Sequence, residues 1–289
     1  MKIVELFKKK KPVVAFEIFP PKPHIPLESI YDSLDQFKSL NPDYISVTYG
    51  AGGSQKGRTV EIASKIKNEY GIESMAHLTC VGHSEAEIDS LLDSLHSNNI
   101  ENILALRGDP PKDQPNFDYS GNAFKYANEL IGHIKNNKSD FGVGAAVYVE
   151  GHVQSKRIQT DMLHLKQKFD AGVDFLVSQL FFDNRWFYDF LDKAGTLGIT
   201  CPVMPGIIPV SKADQIKSMA LMCGVSIPAK LVIMIEKYAD NSEDLKKAGI
   251  EYASEQIRDL LDSGVDGIHI FTMNKPDVTR EIMKNTGLI

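Results

Sequence analysis

The segment NILALRGDPP, residues 102–111, ends an apolar run in an arginine, a glycine, an aspartate and two prolines. A short apolar run bounded by turn formers predicts a strand buried on both faces, here 102–108, and the prolines cannot continue it because they lack N–H donors. Arg107 and Asp109 are two residues apart, so an extended chain would point both to the same side. A cation and an acid at the carboxyl end of a parallel strand are typical of the ligand-binding end of an α/β enzyme. A simple ion pair between the two is the structural alternative.

Further polar side chains lie within or just after other apolar runs. Glu17 is an acid inside the run 13–19, where we expect burial to raise the pKa of its carboxyl group, which suits a general acid. Pairing of Glu17 with a nearby cation is the alternative. The polar residues at the ends of the predicted strands also include Thr48, His77, Arg107, Asp109, Tyr148, Gln179 and Lys275.

The elements that must position these residues alternate along the chain. Apolar runs predict strands at 13–19, 43–49, 74–80, 102–108, 142–148, 175–182, 202–208 and 267–273. Apolar residues at helical spacing predict helices at 27–40, 58–70, 85–97, 123–136, 155–171, 186–197, 212–222 and 276–284. We expect Pro205 and Gly206 to break the seventh strand, and residues 227–262 to form two helices separated near Asp240.

Eight strand–helix units joined by short connections predict one (β/α)₈ TIM barrel, with residues 1–289 as a single domain of the α/β class. A doubly wound open sheet is the alternative fold, because the number of strands does not exclude it. In a barrel, the loops that follow the eight strands share one face. The polar residues named above would therefore converge although they are far apart in the sequence.

Composition limits the class of protein. The chain has 289 residues, of which 43% are hydrophobic and 24% charged, and its formal net charge of −6 argues against a nucleic-acid or anionic-membrane surface. Three scattered cysteines and the lack of any run of eighteen apolar residues predict a cytoplasmic protein without membrane insertion. His77, Cys80 and His83 are close in sequence, but His77 and Cys80 face opposite sides of a strand, so we expect no metal site. Neither GxGxxG after the first strand nor GxxxxGK[ST] occurs, so a nucleotide cofactor would be held by other means.

Six motifs, in order along nearly the whole chain, resemble the methylenetetrahydrofolate reductase family. They are FEIFPPK at 16–22, SVTYGAGGS at 46–54, HLTC at 77–80, ALRGDPP at 105–111, SQLFFD at 178–183 and MPGIIPV at 204–210. Six motifs in register are far more specific than any one of them. The family's flavin-binding barrel agrees with the fold predicted from the residues, and the chain length resembles the short bacterial form.

The resemblance implies FAD at the carboxyl ends of the strands and hydride transfer from flavin N5 to 5,10-methylenetetrahydrofolate, with NADH or NADPH as the electron donor. By the same resemblance, Glu17 is the general acid that assists opening of the folate ring, and Asp109 is a carboxylate between flavin and pterin that stabilises the resulting cation. Glu17 and Asp109 would contact the folate together with Gln179, Gln215 and Lys275. The implied FAD contacts are Thr48, Tyr49, Ala51, His77, Arg107, Gly108, Asp109, Tyr126, Ala127, Tyr148, His152, Asp161 and Lys168.

Some positions depart from the family pattern, among them Met219 and Lys275. Met219 stands where the bacterial family has an aromatic residue that stacks on nicotinamide or folate. Lys275 replaces an arginine, which keeps the positive charge but loses the bidentate hydrogen bonding of a guanidinium group. Met219 leaves open the same folate chemistry with electrons from a partner protein, and a cofactor-binding subunit of a larger complex is a further alternative. A Schiff-base aldolase is disfavoured, because no lysine lies inside a predicted strand. We expect a homo-oligomer that binds a small folate substrate and no nucleic acid.

Overall fold

The computed structural model of the chain describes residues 1–50, 56–109, 117–118, 121–138 and 140–289. In these residues the strands are β1 (Val13–Ile18), β2 (Tyr44–Val47), β3 (Glu73–Thr79), β4 (Asn102–Leu106), β5 (Gly142–Val147), β6 (Phe175–Ser178), β7 (Val203–Met204), β8 (Gly206–Ile207) and β9 (Gly267–Phe271). The helices are α1 (Leu6–Lys9), α2 (Tyr31–Lys38), α3 (Lys56–Asn68), α4 (Glu85–Ser97), α5 (Ala127–Asn137), α6 (Ile158–Asp170), α7 (Asn184–Thr196), α8 (Ala213–Cys223), α9 (Ala229–Lys237), α10 (Ser242–Asp262) and α11 (Pro276–Asn285).

The strands form a parallel barrel that closes through the broken seventh strand. Each strand from β1 to β6 pairs with the one that follows it, and β9 pairs with β1. Only Pro205 separates β7 from β8, yet β7 pairs with β6 while β8 pairs with β9. Proline has no N–H to donate, but its carbonyl accepts a hydrogen bond of 3.0 Å from the backbone N–H of His269. This cyclic order confirms the predicted barrel and excludes the open sheet.

Alternation along the strands sorts their side chains into a barrel interior and an outer layer. The outward-facing residues pack against the helices in the main core. The lower interior is apolar and consists of Ile3, Leu6, Val13, Ala15, Tyr44, Met75, Leu104, Phe175, Val177 and Met204. Glu17 continues the inward-facing row of Val13 and Ala15 by one step. The acid therefore lies above the apolar layer, toward the carboxyl ends of the strands.

The helices and strands follow the predicted order, but several ends differ. The predicted strand 175–182 stops at Ser178, because Leu180 and Phe182 pack in a separate apolar cluster with residues of α8, α9 and α10. The predicted division near Asp240 is confirmed, since Asn241 caps α10 by accepting hydrogen bonds from the backbone of the first helical turn. The structure shows no helix, within the ranges given above, that is both long and apolar enough to cross a membrane.

Candidate active site at the carboxyl ends of the strands

Glu17 lies between two imidazoles inside the barrel. Nε2 of His269 is 3.2 Å from Glu17 Oε2, and Nε2 of His77 is 3.5 Å from the same oxygen. The pairing of β9 with β1 brings His269 beside the acid, although the two residues are 252 positions apart. His269 is fully buried, whereas the Glu17 side chain retains 18% exposure. The arrangement holds a carboxyl group at the edge of the apolar interior, next to two groups that can carry protons.

Burial and the two histidines act in opposite directions on the pKa of Glu17. Burial raises it, but the hydrogen bond from His269 and the nearby charges of His77 and His269 together lower it by more. The expected rise is therefore wrong for this structure, because the expectation counted the apolar strand and not the imidazoles. Burial lowers the pKa of His77 to about 4, against the opposing effect of Glu17. His77 is then neutral at neutral pH, so His269 is the residue that lowers the pKa of Glu17.

The chain turns sharply where β4 ends. Gly108 has a φ of +87°, and a Cβ there would lie 2.5 Å from Cγ1 of Val81, so only glycine fits this position. The extended geometry assumed for Arg107 and Asp109 therefore does not continue, and the argument that placed both on one side of a strand does not apply. Arg107 donates a hydrogen bond of 2.7 Å from Nη1 to Gln154 Oε1, and Asp109 is exposed.

A small cavity, open to solvent, lies between the end of β5 and α6. Four of the predicted cofactor contacts line it, Tyr148, His152, Asp161 and Lys168. Lys168 donates from Nζ to the carbonyl of Ala146 at 2.8 Å. The Asp161 carboxylate accepts from the backbone N–H of His152 at 3.1 Å, which ties α6 to the loop that follows β5. The structure thus brings these predicted residues together.

Charged residues that follow β4, and others on α6, act on groups of this cavity. Burial lowers the pKa of Lys168 to about 8; Asp161 opposes this shift and the Arg107 cation adds to it. Burial, followed by the negative charge of Asp109, raises the pKa of Tyr148 to about 12. A cation with a lowered pKa in a partly enclosed cavity is a group that gains from an anionic ligand.

The other predicted residues follow the strands or lie at or within the next helices, with fewer contacts to Glu17 and to the cavity. The Tyr49 hydroxyl oxygen lies 3.2 Å from Nε2 of His83. The backbone N–H of Thr48 donates to the carbonyl of Ile18 at 3.0 Å. The Gln179 Oε1 atom accepts from the backbone N–H of Leu180 at 2.8 Å. Tyr126 and Ala127 begin α5, Gln215 lies on α8, and Lys275 precedes α11. In the part of the chain that is described, no side-chain hydrogen bond joins these four to Glu17 or to the cavity. Ala51 lies outside the described residues.

Sequence comparison identifies the family to which the chain belongs. The family model described as methylenetetrahydrofolate reductase matches residues 2–287. The chain belongs to the methylenetetrahydrofolate reductase family. It is 35% identical over 275 residues to the 5,10-methylenetetrahydrofolate reductase of Escherichia coli, covering 95% of this chain and 90% of that protein. It is 37% identical over 303 residues to methylenetetrahydrofolate reductase (NADH) 1 of Arabidopsis thaliana, covering 100% of this chain and 51% of that protein. The chain thus spans about half the length of the plant relative.

A structural comparison agrees with the barrel. A Clostridium thermocellum protein, described as uncharacterized and binding two copies of 5-methyl-5,6,7,8-tetrahydrofolic acid, matches with a TM-score of 0.67. The match covers 98% of this chain and 97% of that one at 14% sequence identity. At this identity, the likeness supports the fold alone.

Membership of the methylenetetrahydrofolate reductase family confirms the resemblance inferred from the six motifs, but those motifs did not contain His269. Its signal in the sequence is the one that singled out Glu17, a polar residue inside an apolar run, here GIHIFTM. The pairing of β9 with β1 places this polar residue beside Glu17, and that pairing could not be read from the local sequence. Met219 is partly buried against the apolar cluster of α8, α9 and α10.

Proposed function

We propose that the chain reduces 5,10-methylenetetrahydrofolate to 5-methyltetrahydrofolate, with FAD bound at the carboxyl ends of the strands and NADH or NADPH as the electron donor. The observation that carries the proposal is the carboxyl group of Glu17, held by His269 inside the barrel of a chain that belongs to this family. The names of the bacterial and plant relatives support the reaction, and the plant name supports NADH. We further propose that residues 1–289 act as one domain.

The residues of the cavity fit FAD. Lys168 and Arg107 supply two cations for the pyrophosphate, and their arrangement around Asp161 and Tyr148 provides both donors and acceptors. Gly108 brings the backbone close to any ligand at the end of β4 without a side chain in the way. His77 Nε2 is buried and has no hydrogen-bond partner among the described residues, as expected of a donor or acceptor that a ligand completes. When bound, FAD supplies the hydride chemistry.

The side chains of the barrel then have separate tasks in this proposal. Glu17 donates a proton to the folate amine as the five-membered ring opens, after the bound substrate has excluded water and so favoured the protonated carboxyl group. Asp109 places a negative charge where positive charge develops on the folate. Gln179, Gln215 and Lys275 orient the folate.

The test is anaerobic stopped-flow spectroscopy of the purified chain. Flavin absorbance at about 450 nm is followed as NADH and then methylenetetrahydrofolate are added. We expect NADH to bleach the flavin and the folate to restore its colour. If only the folate restores colour, after chemical reduction, the electron donor is a partner protein, the alternative that Met219 favours. A flavin-loaded chain that neither NADH nor folate affects would overturn the proposed reaction.

A further inference from the structure

We propose that His269 is a positioning residue that determines which oxygen of Glu17 carries the proton donated to the substrate. This inference rests on the proposed role of Glu17 as the general acid. Both imidazoles that face the acid approach the same oxygen, Oε2, with His269 at 3.2 Å and His77 at 3.5 Å. The other oxygen, Oε1, has no hydrogen-bond partner among the described residues. One face of the carboxyl group is therefore held by the protein, and the other is left for a ligand.

His269 is fixed in place on every side that the structure describes. Its side chain is 0% exposed. Its backbone N–H donates to the Pro205 carbonyl at 3.0 Å, and its ring meets the Phe271 ring edge-on at a centroid distance of 5.2 Å. The residue lies between Ala15 of β1 and Gly206 of β8 in the register of the sheet. An imidazole held in this way cannot follow the substrate, so it acts on Glu17 and not on the folate.

The surroundings of the ring also determine where its own proton lies. Nδ1 of His269 is buried and has no hydrogen-bond partner within the described ranges. A proton on Nδ1 would be a buried donor without an acceptor, which proteins rarely tolerate, whereas a proton on Nε2 is donated to Glu17. A proton on Nε2, donated to Glu17, is therefore favoured over a proton on Nδ1 alone.

The proton of the acid follows from this tautomer. Because the N–H of His269 points at Oε2, a proton on that oxygen would face another proton, and a protonated Glu17 carries it on Oε1. In the reaction, the O–H bond at Oε1 breaks, and an N–H bond forms to the folate amine whose bond to the one-carbon unit opens. Glu17 is left as a carboxylate that still accepts from the N–H of His269.

The other groups that face Glu17 do not take over this role. His77 on β3 is neutral at neutral pH, since burial lowers its pKa to about 4, and it lies slightly farther from Oε2. Tyr44 on β2 also senses the charge of Glu17, but burial and that charge raise its pKa, and its hydroxyl donates to the sulfur of Met204 at 3.1 Å. Among the described residues, His269 is the one whose side chain lies within hydrogen-bond distance of Glu17 Oε2.

Two substitutions separate the hydrogen bond from the shape of the side chain. His269→Leu removes the donor, and His269→Gln keeps an N–H that can reach Oε2. We expect the Leu variant to slow the folate half-reaction by about 10- to 100-fold, part of the range that general acids contribute. Its pH profile should move to higher pH, because Glu17 loses the hydrogen bond that lowers its pKa while burial still raises it. The Gln variant should recover most of the rate.

Reduction of the flavin by NADH is the internal control, and we expect it to be unchanged in both variants. His96→Leu, at an exposed position on α4, is the matched control for the loss of an imidazole. A Leu variant with the wild-type rate and pH profile would overturn the inference, and so would a Gln variant as slow as Leu. A wild-type chain that does not reduce folate would instead overturn the proposed function.

A second measurement does not depend on turnover. Nitrogen-15 NMR of the histidine rings in the wild-type chain reports which ring nitrogen is protonated, and the His269 signal is identified by its loss in His269→Gln. We expect the proton on Nε2, and a shift of that signal in Glu17→Gln. A proton on Nδ1, or no response to Glu17→Gln, would overturn the inference.

Discussion

Glu17 is the residue on which the proposed proton transfer depends. Glu17→Gln keeps the size of the side chain and its ability to accept from His269, but it removes the acidic proton. We expect the variant to bind flavin and to be reduced by NADH as the wild type is, while folate reduction falls by about 10²- to 10⁴-fold. Rapid mixing of each half-reaction separately measures both rates. Folate reduction near the wild-type rate would remove Glu17 from the role of acid.

His77 makes a separate prediction about stability. Its folded pKa is about 4 against an ordinary value of 6.5, so between these values the unfolded chain binds a proton that the folded chain does not. Stability is therefore lost as pH falls, by about 2 kcal/mol between pH 7 and pH 5 from this residue. His77→Gln should flatten the pH dependence of urea unfolding in this range, which lies above the ordinary pKa of 4.5 for Glu17. If the free energy of unfolding depended on pH equally in the variant and the wild type, His77 would not be a buried imidazole that stays neutral in the folded chain.

The residues of the candidate site were predictable to different degrees. Glu17 and Lys168 could be selected from the sequence, one as an acid in an apolar strand and the other through the family resemblance, and the structure places both in enclosed positions. The direction of the Glu17 pKa shift could not be predicted, because it depends on His269, which comes from the opposite end of the chain. Local pattern identifies a buried charge, and only long-range pairing identifies its partner.

At the scale of the elements, Gly249 determines how closely α10 approaches the segment after β8. A Cβ at this position would lie 1.8 Å from the carbonyl oxygen of Val210 and 2.7 Å from its carbon, so α10 would have to move. We expect Gly249→Ala to destabilise the chain by about 3 kcal/mol in chemical unfolding, the upper part of the range for overpacking. A variant as stable as the wild type would show that this contact can relax.

Gly132 on α5 is the matched control, because a Cβ there meets nothing within 4 Å. Gly132→Ala should stabilise the chain by about 0.5 to 1 kcal/mol, since alanine lowers the entropy of the unfolded chain and favours the helix. If Gly→Ala destabilises the chain at position 249 and stabilises it at position 132, then packing at Val210, and not helix propensity, requires glycine at 249. Two effects of the same sign would contradict this explanation.

The order of the elements could be predicted because each strand and helix has its own local period. What could not be predicted was the use of the break at Pro205, which lets β7 and β8 pair with different neighbours and close the barrel. The end of β6 was also missed, because Leu180 and Phe182 are as apolar as the strand itself but belong to another cluster. Apolar character indicates burial, but it does not indicate which core a side chain joins.

At the scale of the whole molecule, the site joins elements that are distant in the sequence under a net negative charge. The formal charge is −6, yet the cavity contains Lys168 and is influenced by the cation of Arg107. A local cationic site in an acidic protein favours a specific anion over nonspecific binding. Because β4, β5 and α6 all contribute, a ligand that binds there should stabilise the folded chain as a whole.

The last prediction uses this coupling to test Lys168 without measuring turnover. At about 100 times its dissociation constant, FAD should stabilise the chain by about 2.7 kcal/mol, which raises the Tm by about 5 °C for a protein of this size. The pKa of Lys168 in the free chain is about 8, so its charge is largely present at pH 7 and largely lost at pH 9. We expect the FAD-dependent increase in Tm to be smaller at pH 9 than at pH 7.

Lys168→Met should reduce this increase at pH 7, by a loss of about 10- to 100-fold in FAD affinity, and should remove most of its pH dependence. Lys166→Met, on the same helix and with the same change in charge, should behave like the wild type, because Lys166 pairs with Asp170 at the surface. Differential scanning calorimetry at the two pH values measures all three proteins. An unchanged response to FAD in Lys168→Met would place the pyrophosphate elsewhere, whereas equal losses in both variants would indicate a general effect of charge on α6.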